Sequence, residues 1–235
     1  MAARQAAPAR RGAHPTHFLC IPLLRRQLAR NINGFRADVS NINGAAPLPP
    51  DAVRPPGTMH ITLGVMSLSQ PGQLARAVAV LKELRLRDIL AETMRAGSQE
   101  GHVWLTLKGM EAMQDASHTG VLYAPPLDVE EQGTGVLYAF CQVVRRRFID
   151  AGLMEAEKRP FLLHATVVNT THVKRMRGQG RERLMLDARP LLEEYAEHVW
   201  LDRHEVRTLA ICRMGAKPKG EHGDEAYEVV EEVAI

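Results

Sequence analysis

The amino-acid sequence predicts an α+β fold: one domain whose two pseudo-symmetric halves each combine strands with a long helix. Three observations carry this. Short apolar runs bounded by proline and glycine alternate with longer segments of three-to-four periodicity. The segment order is strand, helix, strand, helix, strand, strand, helix, strand, helix, strand, strand. Each half also holds one apolar strand with the same polar insertion, His-Ile-Thr at 60–62 and His-Ala-Thr at 164–166. This pattern suggests an internal duplication closed into one domain.

The elements follow in chain order. HFLCIPL (17–23) is a short apolar run ended by proline, hence a strand. Leu24, Leu28, Ile32 and Phe35 recur at helical spacing, which predicts a helix over 24–43. PLPPDAVRPPG (47–57) contains five prolines and is a loop. TMHITLGVMSL (58–68) is a strand by its branched and apolar content. Pro71 opens a helix whose apolar face, Leu74, Val78, Leu81, Leu84 and Leu86, predicts that it runs to about residue 94. HVWLTLKGM (102–110) alternates as a strand does, and VLYAPPL (121–127) is a second strand, stopped by Pro125 and Pro126. Leu137, Phe140, Val144 and Phe148 mark a helix over 133–151, with Gly152 at its end. FLLHATVVNT (161–170) is a strand and KRMRGQGRER (174–183) a basic loop. A short helix at 188–198 and strands at 205–214 and 226–235 close the chain.

Composition narrows the class. With 45% hydrophobic and 24% charged residues, 235 residues suffice for a substantial core. A net charge of +3 permits an anionic ligand without demanding one. No stretch approaches the ~20 apolar residues of a membrane span, so no membrane partner is expected. The first acidic residue is Asp38, and the start is Arg- and Ala-rich. Residues 1–15 read as a disordered basic tail before a single domain at 16–235. The expected address is nuclear or cytoplasmic, with a mitochondrial transit peptide as the alternative reading of the tail. Cys20, Cys141 and Cys212 each sit in an apolar segment and read as buried free thiols.

The two His-x-Thr strands carry the chemistry. Side chains two apart on a strand share a face. His60 and Thr62 therefore point one way while Met59, Ile61 and Leu63 point the other; His164 and Thr166 oppose Leu163, Ala165 and Val167 in the same manner. Burying an imidazole and a hydroxyl without partners costs several kcal/mol, so these faces are expected to line a cleft with a polar ligand. Two histidines suit phosphate-ester cleavage. One, neutral, takes a proton from water; the other, protonated, gives one to the leaving oxygen. Threonine hydroxyls then donate to the non-bridging oxygens, where charge builds up. Two His and two Thr make a poor metal shell, so neither metal nor cofactor is expected. The competing reading is a pair of histidines satisfied within a core.

The motifs and their surroundings, THFLCIPL, MHITLGVMSL, GMEAMQDASHTGVLYA, RRFIDAGLM and LLHATVVNT, occur in an order that resembles the two-histidine phosphoesterase superfamily, which includes the LigT-like RNA cyclic phosphodiesterases. The likeness covers residues 16–235. It is strongest to the A-kinase anchor protein nuclear-localisation-signal domain and to the phosphoesterase domain of activating signal cointegrator 1 complex subunit 1. Leu163 stands where many relatives have proline, as in the cointegrator branch. The resemblance implies a bilobal fold around a central groove, with His60 and His164 catalytic and Thr62 and Thr166 binding phosphate. It implies a phosphodiesterase acting on RNA ends or small cyclic nucleotides, with a nucleotide- or RNA-binding module lacking turnover, or an adaptor in a transcription or repair complex, as the alternatives. A helicase- or cointegrator-like complex is the implied protein partner, and a monomer is expected.

Other residues are candidates of lower rank. Phe18, Tyr123 and Phe161 lie in or beside the groove-forming strands and are candidates to stack a base, with core packing as the competing role. Lys174, Arg175 and Arg177, with Arg181 and Arg183, are candidates to hold an RNA backbone at the groove mouth.

Overall fold

The first strand, β1 (His17–Pro22), is buried along almost its whole length because strands pair with it on both edges. On one side is β2 (His60–Met66) and on the other β9 (Thr208–Arg213), both antiparallel. β7 (Ala165–Asn169) pairs with β2, and β5 (Val121–Ala124) with β7. The two-residue β4 (Glu111–Ala112) and β12 (Val229–Ala234) complete a seven-stranded sheet in the order β12-β9-β1-β2-β7-β5-β4. The two His-x-Thr motifs thus lie on neighbouring strands of one continuous sheet. A smaller sheet has the order β6-β3-β8, from β6 (Pro126–Asp128), β3 (Val103–Lys108) and β8 (Val199–Val206). A short hairpin joins β10 (Lys217–Pro218) to β11 (Glu225–Ala226). This computed structural model describes residues 14–40, 48–94, 102–129, 135–156, 160–173, 183–219 and 224–235. Most of the expected basic tail lies outside them.

Five α-helices are described: α1 (Arg26–Ser40), α2 (Gln73–Glu83), α3 (Leu86–Thr93), α4 (Val136–Asp150) and α5 (Arg189–Glu194). Leu28, Ile32 and Phe35 of α1 and Leu137, Phe140, Val144 and Phe148 of α4 are buried as the periodicity predicted, and Val39 joins them; Leu24, also expected on the α1 stripe, precedes the helix and is exposed. They join Ile21, Ile61, Leu63, Ala165, Val167 and Ile211 from one face of the large sheet in a continuous core. α4 touches both β2 and β3, so it packs against the two sheets at once.

Four expectations are corrected in detail. The helix predicted from Pro71 to about residue 94 breaks at Leu84 and Arg85, both off helical backbone angles. Leu84 and Leu86 both pack into the core, and a continuous helix would point residues two apart in different directions. The strand predicted over 121–127 changes sheets at Pro125: Val121–Ala124 pairs in the large sheet and Pro126–Asp128 in the small one. The strand predicted over 161–170 begins only at Ala165. Strand β8 was hidden in the sequence because its alternation fails. Trp200 and Leu201 are both buried, whereas Asp202 and Arg203 are both exposed. Pairing with β3 slips by one residue there, and Arg203 takes φ +42°, which are the marks of a bulge. Thr106 Oγ1 accepts from the Arg203 backbone N–H at 3.1 Å and fills the irregularity.

Trp200 anchors the small sheet. It is fully buried, donates from Nε1 to the Gly109 carbonyl at 2.8 Å, and packs against Phe35 and Tyr195. Trp200→Ala is expected to cost about 3–5 kcal/mol, lowering Tm by on the order of 10 °C for a chain of this size. A thermal melt followed by circular dichroism measures this.

Candidate active site

Burial along the two motif strands follows the predicted alternation. Met59, Ile61 and Leu63 are buried and His60 and Thr62 half-buried; Leu163, Ala165 and Val167 are buried and His164 and Thr166 half-buried. The pairing of Ile61 with Ala165 then fixes the arrangement. In an antiparallel pair the neighbours of a matched couple also face each other, so His60 lies across from Thr166 and Thr62 across from His164. Directly opposed Cβ atoms on such a face are ~5 Å apart and the diagonal ones ~7–8 Å. The four polar side chains form a quadrilateral with the imidazoles on one diagonal and the hydroxyls on the other. A phosphate group is of the size to be spanned by that diagonal.

The two histidines are held alike. His60 Nδ1 lies 2.7 Å from the Thr58 carbonyl and His164 Nδ1 lies 3.0 Å from the Leu162 carbonyl. A carbonyl oxygen only accepts, so each Nδ1 carries its hydrogen and each Nε2 is left to exchange a proton. Each ring also meets an aromatic from the outer neighbouring strand. Phe18 of β1 is 4.7 Å from the His60 ring, and Tyr123 of β5 is 5.5 Å from the His164 ring. The two rings thus share one pattern of contacts, a local two-fold relation within the site.

Electrostatics set the protonation state of His60. Burial disfavours the charged form of His60; the Thr58 carbonyl opposes this, and Arg54 and His164 add to it, leaving the pKa lowered from 6.5 to about 4. His60 is thus neutral at pH 7 with a free lone pair on Nε2. Arg54 is itself buried, its backbone N–H bonds the Val167 carbonyl at 2.8 Å, and its Nη2 has no hydrogen-bond partner among the described residues. Nothing local in the sequence marks Arg54, which sits in the proline-rich loop; its part in the site comes from where that loop crosses β7.

Two cavities flank the quadrilateral. One, of about 300 Å³, lies on the His60 side and is lined by Phe18, Cys20, Cys212, Lys219 and Tyr227 among others. The second, of about 530 Å³, runs past Thr62 and His164 and is lined by Met113, Phe161 and Leu162. Of the three aromatics named from sequence, Phe18 is buried as a wall of the first cavity. Tyr123 is buried, with its hydroxyl donating to Glu111 Oε2 at 2.5 Å, and burial with that carboxylate pushes its pKa up to about 12. Phe161 is half-buried between Tyr138 and the Arg145 guanidinium, facing the second cavity. Tyr227, set edge-on 5.3 Å from the His60 ring, was missed. It lies far along the chain, and only the β11–β12 connection brings it here.

The basic loop gives a different outcome. Lys174, Arg175, Arg177 and Arg181 lie outside the described residues. Arg183, also placed in that loop, is tied down: Nε donates to Thr170 Oγ1 at 3.1 Å, and Nη2 donates to the Gly120 carbonyl at 3.1 Å and to Asn169 Oδ1 at 3.2 Å. It fastens the end of β7 to the start of β5. Cys20, Cys141 and Cys212 are buried and free, as expected. No described helix is long and apolar enough to cross a membrane.

Comparison with known proteins completes this picture. Residues 15–235 match the model of the AKAP7 2'5' RNA ligase-like domain. The chain belongs to this family. The AKAP7 2'5' RNA ligase-like domains fall within the LigT-like two-histidine phosphoesterases, so the chain is of the phosphoesterase class. It is similar to Schizosaccharomyces pombe uncharacterized protein C15D4.13c, with 22% identity over 93% of this chain and 95% of that one. Its fold is similar to that of Escherichia coli LigT complexed with 3'-AMP, with TM-score 0.51, 15% identity, and 94% and 98% of the two chains covered. A second solved structure, named as a phosphoesterase, matches with TM-score 0.50, 16% identity and the same coverage.

Proposed function

We propose that the chain is a metal-independent phosphodiesterase acting on RNA ends or on small, including cyclic, nucleotides. The observation that supports it most is the pair of Nδ1-anchored imidazoles on adjacent strands, both leaving Nε2 free on one diagonal. His60, held neutral, is the general base. Its Nε2 takes a proton from water as the oxygen attacks phosphorus. His164, on the more open side of the site, is the general acid and hands a proton from Nε2 to the leaving ribose oxygen. Thr62 and Thr166 donate to the two non-bridging oxygens as negative charge gathers on them. Acid, base and charge stabilisation are then all supplied by side chains. The solved complex of E. coli LigT with 3'-AMP is in keeping with a nucleotide in such a groove.

A panel of 2′,3′-cyclic nucleotides, 2′-5′ and 3′-5′ oligonucleotides and RNAs with defined ends, incubated with excess EDTA and read by mass spectrometry, tests this. At least one substrate is expected to give a new phosphate end at an undiminished rate. Retention of nucleotide with no new end would instead identify a binding module, and loss of turnover with EDTA, restored by zinc, would contradict the chemistry.

A further inference from the structure

The groove face of the large sheet carries a second reactive pair that the phosphoesterase chemistry does not use. Cys20 on β1 and Cys212 on β9 sit with Sγ atoms 3.8 Å apart. Strand register explains the closeness. Cys20 is matched with Ala210 and Phe18 with Cys212, so the thiols lie on a diagonal of the same face. Both are buried in a small cluster with Phe18 and Ala210, apart from the main core, and both line the cavity that contains His60 and Tyr227. We infer that Cys20 and Cys212 form an oxidant-generated, thiol-reversible disulfide in the wall of this cavity, and that the bond alters ligand binding there.

The chemistry balances with a peroxide as oxidant. One cysteine, as thiolate, attacks a peroxide oxygen, giving a sulfenic acid and releasing hydroxide, which takes up the thiol's proton as water. The second sulfur attacks the sulfenic sulfur, a second water leaves, and the S–S bond forms. Two thiols thus lose two electrons to one peroxide. Either sulfur can donate to the other across this contact, so the pair supports a thiolate on one of its members. Cys141 provides a contrast within the chain: it is fully buried on α4, and burial raises its pKa.

Bond formation requires the sulfurs to close from 3.8 Å to about 2.05 Å. Phe18 lies opposite Cys212 on β1 and packs on the His60 ring, so this closure bears on the side chain that holds His60. The effect on ligand binding rests on the nucleotide reading above; the disulfide itself does not. The full chain is treated with hydrogen peroxide, quenched, and mapped by non-reducing peptide mass spectrometry, while 3'-AMP binding is followed by calorimetry. The expected result is one cross-linked Cys20–Cys212 peptide pair, lighter by two hydrogens, with Cys141 still free. Affinity for 3'-AMP should fall on oxidation and return with dithiothreitol, and Cys212→Ala should remove that sensitivity. Free thiols after treatment, or separate over-oxidised cysteines, would overturn the site. A cross-link that leaves 3'-AMP affinity unchanged would overturn its effect on binding. If reduced protein binds no 3'-AMP, the nucleotide reading fails for this ligand while the peptide map still decides the disulfide.

Discussion

His60→Ala and His164→Ala are each expected to lower kcat by ~10²–10⁴-fold, the usual cost of losing a general base or acid, while the far-ultraviolet circular dichroism spectrum is retained. The fold should survive because both rings lie on the groove face and not in the core with Ile61 and Ala165. The same assignment fixes the pH dependence. The His60 pKa is lowered from 6.5 to about 4 chiefly by burial, so the folded chain keeps this base unprotonated where the unfolded chain would bind a proton. The acid limb of kcat/KM should therefore fall as pH approaches 4 and not near 6.5. By the same linkage, the stability due to neutral His60 is fully present above pH 6.5 and lost as pH falls toward 4. An acid limb centred near 6.5 that vanished in His60→Ala would contradict the environment described for this ring.

Thr62→Val and Thr166→Val should each lower kcat by ~10²-fold or more, the magnitude seen when one donor to a developing oxyanion is removed. Valine keeps the branched shape and strand preference of threonine, so the change is confined to the hydroxyl. Both threonines are half-buried on the groove face, across from the histidine of the other strand. Because the hydroxyls are asked to bind charge in the transition state, the loss should appear in kcat more than in KM. Thr→Ser at either position should restore much of the rate, since it returns the donor. If the valine variants raised only KM, the hydroxyls would be binding substrate and transition state alike.

Much of this site was legible in the sequence because period-two geometry is local. His-x-Thr inside an apolar run places two polar groups on one face whatever the rest of the fold does, and the alternating burial of 59–63 and 163–167 follows from it. The adjacency of β2 and β7 was not legible. It depends on the pairing of Ile61 with Ala165, a contact between distant segments that no local pattern encodes. The same reason hid Tyr227 and Arg54, which reach the site through tertiary placement. The carbonyl anchors could have been anticipated in part, since Thr58 and Leu162 both stand two residues before their histidine. Strand β8 was lost for a different reason: its bulge at Arg203 breaks the alternation on which strand recognition rests. The split of α2 from α3 shows tertiary packing overriding helical periodicity, because the core takes both Leu84 and Leu86.

The central claim is that His60 and His164 act on one phosphorus atom, and a double-mutant cycle on kcat/KM with a hydrolysed substrate of the panel tests it most directly. Groups that act together in one step are strongly non-additive. The His60→Ala, His164→Ala double variant is therefore expected to be no slower than about the worse single variant. Losses that multiply, or a single variant that retains the wild-type rate, would contradict it.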